Sequence, residues 1–272
     1  MRSSTSVVYC AIDNLIPLTG KPILGLRDFL DQLSNQGIPC VWVTARNRLQ
    51  LDSTLRRFAN AEPFIAEAGS GVFLPEDYFH LRAARTIRLG RFTCIPVASP
   101  QPAAAEALDQ LAEEAGVDIV PMRTLSHREL AQNTGLEPRE SDLFRQRDFD
   151  ELFFFAGTSD TDIRRFLSKA TQKKLSVRPF GALWSLAVGR SIGACVRELS
   201  TLFDRALKGH SFSIAIATAD EAADLSPACH RLILLTDRSA ENPPGMLGLK
   251  SFPLFSPDTW ESVLEAVRFR HF

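Results

Sequence analysis

The stretch Ser6-Val7-Val8-Tyr9-Cys10-Ala11-Ile12, followed at once by Asp13-Asn14, decides the fold. It is a short apolar run rich in β-formers that ends in a turn signal, so it reads as a buried strand. Downstream, Leu24, Leu26, Phe29, Leu30 and Leu33 recur at helical spacing, and Gly37 follows as a terminating glycine. Cys40–Val43 reads as a second buried strand, ending at Thr44, and a basic amphipathic helix covers Asn47–Phe58. This strand–helix–strand–helix order implies parallel strands joined by right-handed crossovers.

Farther along, Pro63–Phe73 is a short run with glycines at 69 and 71. The rhythm changes near residue 83. Residues 87–97 read as a strand, and Gln101–Ala115 as an alanine-rich helix stopped by Gly116. Ser126–Asn133 and Pro138–Gln146 read as short helices, Leu152–Ala156 as an apolar strand, Thr161–Lys173 as a helix and Leu175–Val188 as a hairpin. That order does not alternate simply, which predicts an α+β insertion. After Gly189 the α/β rhythm returns, with a helix over Ile192–Ala206, a strand over Phe212–Ala217, a helix beginning at Leu225–Ala228, a strand over Arg231–Leu235 and a closing helix over Thr259–Phe269. The expected organisation is an α/β core in two parts, residues 1–82 and 189–272, interrupted by a cap over 83–188.

Composition narrows the function. The chain has 272 residues, 31 basic and 32 acidic, for a net charge of −1. With no basic block it lacks the electrostatic footprint of a nucleic-acid binder. No apolar run approaches the roughly 18 residues of a membrane helix. The opening Met-Arg-Ser-Ser-Thr-Ser shows no secretory pattern. The cysteines at 10, 40, 94, 195 and 229 are odd in number and widely spaced, which predicts reduced thiols in a cytoplasmic protein. The histidines at 80, 127, 210, 230 and 271 have no metal-ligand spacing.

The strand ends resemble a family. Cys10-Ala11-Ile12-Asp13-Asn14-Leu15-Ile16 sits where haloacid dehalogenase-like (HAD) phosphatases carry Asp-x-Asp-Gly-Thr-Leu. Val43-Thr44-Ala45-Arg46 is similar to the second motif, and Ala219-Asp220-Glu221-Ala222-Ala223-Asp224 to the last, Gly-Asp-x-x-Asn-Asp. Pro63–Pro75, Thr134-Gly135-Leu136 and Arg145–Glu151 resemble the mannosyl-3-phosphoglycerate phosphatases. The resemblance implies a Rossmann-like core with a parallel sheet, an inserted α+β cap of the C2 type, and phosphatase (hydrolase) chemistry.

That chemistry uses a nucleophilic Asp, a second Asp as acid and base, a Thr or Ser and a Lys on the phosphoryl oxygens, and Mg²⁺. Carried over residue by residue, the nucleophile position is Ala11, which has no carboxylate. The acid/base position is Asp13, followed by Asn14 for Gly and Leu15 for Thr. Thr44 is kept, as a phosphate-oxygen donor or as the cap of the next helix. The Lys position is Ile192, with Arg190 the nearest basic substitute. Asp220 and Asp224 keep the metal-site spacing, while Ala219 and Ala223 replace Gly and Asn, and Ala182 stands where a cap Arg is expected. Arg145, Arg147 and Glu151 are the expected substrate-facing residues of the cap.

Losing a covalent nucleophile costs several decades of rate, and losing one well-placed donor to the developing charge costs about 3 kcal/mol. With one certain carboxylate left, Mg²⁺ binding should be weak. The expectation is a catalytically impaired or inactive pseudoenzyme. It would bind a phosphorylated sugar or glycerate, or act as a regulatory partner of a protein such as a glycosyltransferase. The alternative is an active Mg²⁺-dependent phosphomonoesterase that uses Asp13, either as its nucleophile or as the base for a directly attacking water.

Overall fold

The computed structural model describes residues 5–18, 21–80, 85–236, 250–256 and 258–268. In chain order the strands are β1 (Ser6–Ala11), β2 (Cys40–Val43), β3 (Phe64–Ala66), β4 (Gly71–Leu74), β5 (Ile87–Leu89), β6 (Phe92–Pro96), β7 (Ile119–Pro121), β8 (Asp150–Phe155), β9 (Leu175–Phe180), β10 (Leu183–Val188), β11 (Phe212–Thr218), β12 (Arg231–Thr236) and β13 (Lys250–Pro253). The α-helices are α1 (Leu26–Asn35), α2 (Arg48–Arg57), α3 (Gln101–Ala115), α4 (His127–Thr134), α5 (Pro138–Arg145), α6 (Asp160–Gln172), α7 (Ile192–Leu207), α8 (Ala219–Leu225) and α9 (Thr259–Arg268). Among the described residues no helix is long and apolar enough to cross a membrane.

The large sheet runs β13-β12-β11-β1-β2-β3-β4-β6-β5. From β13 to β3 the pairing is parallel; β4, β6 and β5 continue it antiparallel. Both faces of β1 are buried, which is why its sequence is apolar throughout. Val8 and Cys10 pack with α1 and α9, whereas Val7, Tyr9 and Ala11 pack against α7 and α8. Because β1 lies between β2 and β11, its carboxyl end opens into the crevice where such sheets place ligands.

The second sheet, β7-β8-β10-β9, is antiparallel. Alternation decides its two faces. Phe153 and Leu186 join Leu108, Leu111 and Phe166 under α3 and α6. Leu152 and Leu183 join Leu130 and Phe144 from α4 and α5 on the other face. The register Ser185↔Arg178 and Ala187↔Ser176 puts these residues on that second face, above the core.

The expected boundary between residues 82 and 83, and the last residue of the closing helix, lie outside the described residues. The expected cap runs over 83–188 and opens with one strand over 87–97. The chain turns at Gly90-Arg91 instead, and β5 and β6 extend the large sheet through β4. The two connections to the cap meet where Ser99 N–H donates to the Val188 carbonyl (2.9 Å).

One loop sets the core against α7. After β3, Glu67, Ala68 and Gly69 all have positive φ. At Gly69 (φ +92°) a Cβ would lie 2.5 Å from the Ile192 backbone nitrogen. Only glycine fits both the conformation and the approach. Gly69→Ala is expected to lower stability by about 2 kcal/mol or more, read from chemical denaturation; an unchanged midpoint would contradict this packing.

Candidate active site

A cavity of about 480 Å³ opens at the carboxyl ends of β1, β2 and β11, beneath the cap hairpin. Its floor is apolar at two positions where the resemblance requires charge, Ala11 and Ile192, and Val43 lines it beside them. Asp13 also lines it, but its carboxylate is engaged within the protein. Oδ1 accepts from the Thr44 hydroxyl and Oδ2 from the Ala45 N–H (2.6 Å). The guanidinium Nε of Arg46 stands 3.5 Å from Oδ1. Thr44 therefore holds Asp13. It does not cap the next helix; that role falls to Asn47, which forms a capping box with Gln50.

On the β11 side, Thr218 caps α8 through a reciprocal pairing with Glu221, and Asn14 donates to the Thr218 hydroxyl (2.8 Å). Asp220 is exposed in the first turn. Glu221, which the sequence reading did not single out, lines the cavity. Burial pushes its carboxyl up to about 7, reinforced by the nearby charges of Asp13 and Asp220 and opposed by its bonds to Thr218. Asp224 is held by both terminal nitrogens of Arg178, reaching down from β9. Arg178 is a second residue that sequence reasoning missed; the usable signal was strand alternation in the predicted hairpin.

Arg190 also lines the cavity, yet its donors are committed to the cap. It donates to the Ser176 hydroxyl (3.1 Å) and carbonyl (2.9 Å) and to the Ser185 hydroxyl (2.7 Å) and carbonyl (3.2 Å). It lies 3.6 Å from Asp150, and burial lowers its pKa to about 10.

The expected cap residues sit elsewhere. Arg147 is buried in a fork on Asp150 (2.5 and 2.9 Å) and also donates to the Ala45 carbonyl (2.8 Å). Burial alone would raise the Asp150 carboxyl, but Arg147 and Arg190 hold it below the usual range. Glu67 accepts the backbone N–H groups of Asp148 (2.9 Å), Phe149 (2.9 Å) and Asp150 (3.0 Å), fastening core to cap. Glu151 takes a bond from Gln101 and pairs with Arg123 at 3.3 Å. Arg145 donates to the Leu125 carbonyl (3.0 Å). None of Arg145, Arg147 and Glu151 lines the cavity.

Asp220 lines the cavity, but the other ligands expected for the Mg²⁺ that the resemblance implies are absent or engaged. Ala11 offers a methyl group, both Asp13 oxygens are engaged, and Asp224 is paired with Arg178. Among the described residues no group of at least three His, Cys, Asp or Glu side chains is placed to hold a metal.

Two measurements check this geometry. Arg147→Ala leaves Asp150 buried beside Glu67 without its main counter-charge, and a loss of about 3–5 kcal/mol in chemical denaturation is expected; a loss under about 1 kcal/mol would place the fork among weak surface pairs. For Glu221, the folded pKa of about 7 exceeds the ordinary 4.5, so the folded state holds its proton longer than the unfolded state. Its contribution to stability therefore falls as pH rises from about 4.5 to about 7 and is level above that. Glu221→Gln keeps the acceptor for Thr218 and removes the titration. The variant should gain on the wild type through that window; a difference independent of pH would contradict the burial of this carboxyl.

No family model matches the chain. Two relatives are each described as a glucosyl-3-phosphoglycerate/mannosyl-3-phosphoglycerate phosphatase. That of Methanococcoides burtonii is 23% identical over 199 residues, covering 73% of this chain and 72% of the relative. That of Persephonella marina is 22% identical over 178 residues, covering 64% of each. Among solved structures, a haloacid dehalogenase-like hydrolase from B. subtilis superposes with a TM-score of 0.64 at 12% identity, covering 98% of this chain and all of that one (100%). A HAD subclass IIB sugar phosphatase gives 0.64 at 12% identity, over 96% and 98% of the two chains. The fold is that of the haloacid dehalogenase-like hydrolases, a parallel α/β core carrying an inserted α+β cap.

Proposed function

We propose that this chain is a phosphatase-like protein of the HAD fold that holds a phosphorylated sugar or glycerate in its core–cap cleft without hydrolysing it. The observation that carries the reading is the state of the β1 terminus. Ala11 presents a methyl group where phosphorus would be attacked, and both oxygens of Asp13 accept hydrogen bonds from Thr44 and Ala45. Hydrogen bonds on both oxygens hold this carboxylate toward Thr44 and Ala45 and weaken it as a nucleophile. Ile192 supplies no charge to the phosphoryl group. The sugar-phosphoglycerate phosphatases to which the chain is similar suggest the ligand class. Arg178 and Arg190 are the cleft's cations, both on the cap side. A protein partner, such as a glycosyltransferase making the phosphorylated sugar, would read the occupied cleft.

Phosphate release is the test, with Mg²⁺ present and glucosyl-3-phosphoglycerate, mannosyl-3-phosphoglycerate and simple sugar phosphates as substrates. The wild type should not exceed the uncatalysed background. Ala11→Asp should raise any release that the pocket still permits. Turnover by the wild type that Asp13→Asn abolishes would overturn the proposal and install Asp13 as the nucleophile.

A further inference from the structure

A second cavity of about 420 Å³ lies on the seam between α2 of the core and α5 of the cap, with no lining residue in common with the cleft. Arginines reach it from separate parts of the chain: Arg46 from the loop after β2, Arg57 from the end of α2 and Arg139 from α5. Glu140 is the one carboxylate of its lining, while Ser53 and Thr54 add hydroxyls. The position of Arg57 in the last turn of α2 suits the helix dipole and by itself implies nothing. Arg46 is held by Asp13 and the Ile16 carbonyl, whereas Arg139, in the first turn of α5, has no such helix-dipole reason to be there.

Arg46 marks the site as built. Its side chain is 4% exposed, its Nε is buried with no hydrogen-bond partner, and it touches Asp13 only at 3.5 Å. One terminal nitrogen donates to the Ile16 carbonyl. The walls are fixed by bonds across the seam: Asn47 Nδ2 donates to the Leu143 carbonyl (2.6 Å), and Arg48 pairs with Asp148 (2.8 Å). Cations gathered in a rigid recess repel one another, and the repulsion is relieved by an anion that enters it. Guanidinium groups also match the planar oxygens of carboxylate and phosphate.

We infer that this seam cavity is a second ligand site, for a small organic anion with a carboxylate or phosphate headgroup, bound by Arg46, Arg57 and Arg139. The proposal does not rest on the reading of the cleft. The walls belong to core and cap together, so an occupant would join the two bodies. It would also share Arg46 with Asp13 of the cleft.

Glucose 6-phosphate and succinate, each titrated at constant ionic strength, are the probes, and the melting midpoint is the readout. At least one should raise the midpoint of the wild type above a matched potassium chloride control; which of them does so assigns the headgroup. Arg57→Ala/Arg139→Ala alters exposed side chains and should fold normally, with binding about tenfold weaker or worse. No rise for either probe would overturn the site. A rise that survives in this double variant and disappears in Arg178→Ala would also overturn it, by moving the anion to the main cleft, and would leave the reading of that cleft intact.

Discussion

The carboxylate of Asp13 closes the end of β2 onto the end of β1. It accepts from the Thr44 hydroxyl and the Ala45 N–H and stands beside Arg46. Two consequences follow from this one cluster. Within the cleft, the acid that the motif retains is turned to structural use. Beyond it, the same cluster holds the Arg46 guanidinium at the edge of the seam cavity.

The cap is fastened to the core by buried charges. Glu67 caps the backbone of residues 148–150, Arg147 grips Asp150 and reaches the Ala45 carbonyl, and Arg190 fills the space below the hairpin. Arg178 and Asp224 join roof and floor directly. Each pair is favourable only with its partner present, since an isolated buried charge is costly. Cations committed in this way attract a phosphoryl group less than free ones do.

Much of this was legible in the sequence. The apolar run at β1 and the glycine stops at Gly37 and Gly116 specified local structure directly, because strand burial and left-handed helix ends depend on few distant contacts. The strand-end motifs pointed to the fold, and the resemblance they carry puts Ala11 at the nucleophile position. What escaped depends on tertiary pairing. Nothing local told that β5 and β6 extend the large sheet, since a hairpin pairs with whichever edge the fold presents. Arg147 and Glu151 read as ligand contacts only through the family resemblance of the 145–151 stretch. Their partners, Asp150 and Arg123, are identified only by burial. Arg178 and Glu221 reach the cleft through strand register and a capping box.

The central claim is that no carboxylate here can form an aspartyl-phosphate. Intact-mass spectrometry tests it most directly, after acid quenching of the protein with Mg²⁺ and para-nitrophenyl phosphate or sugar phosphates. The account predicts an unmodified wild-type chain at every time point. A species heavier by one phosphoryl group, mapped to Asp13, would contradict it.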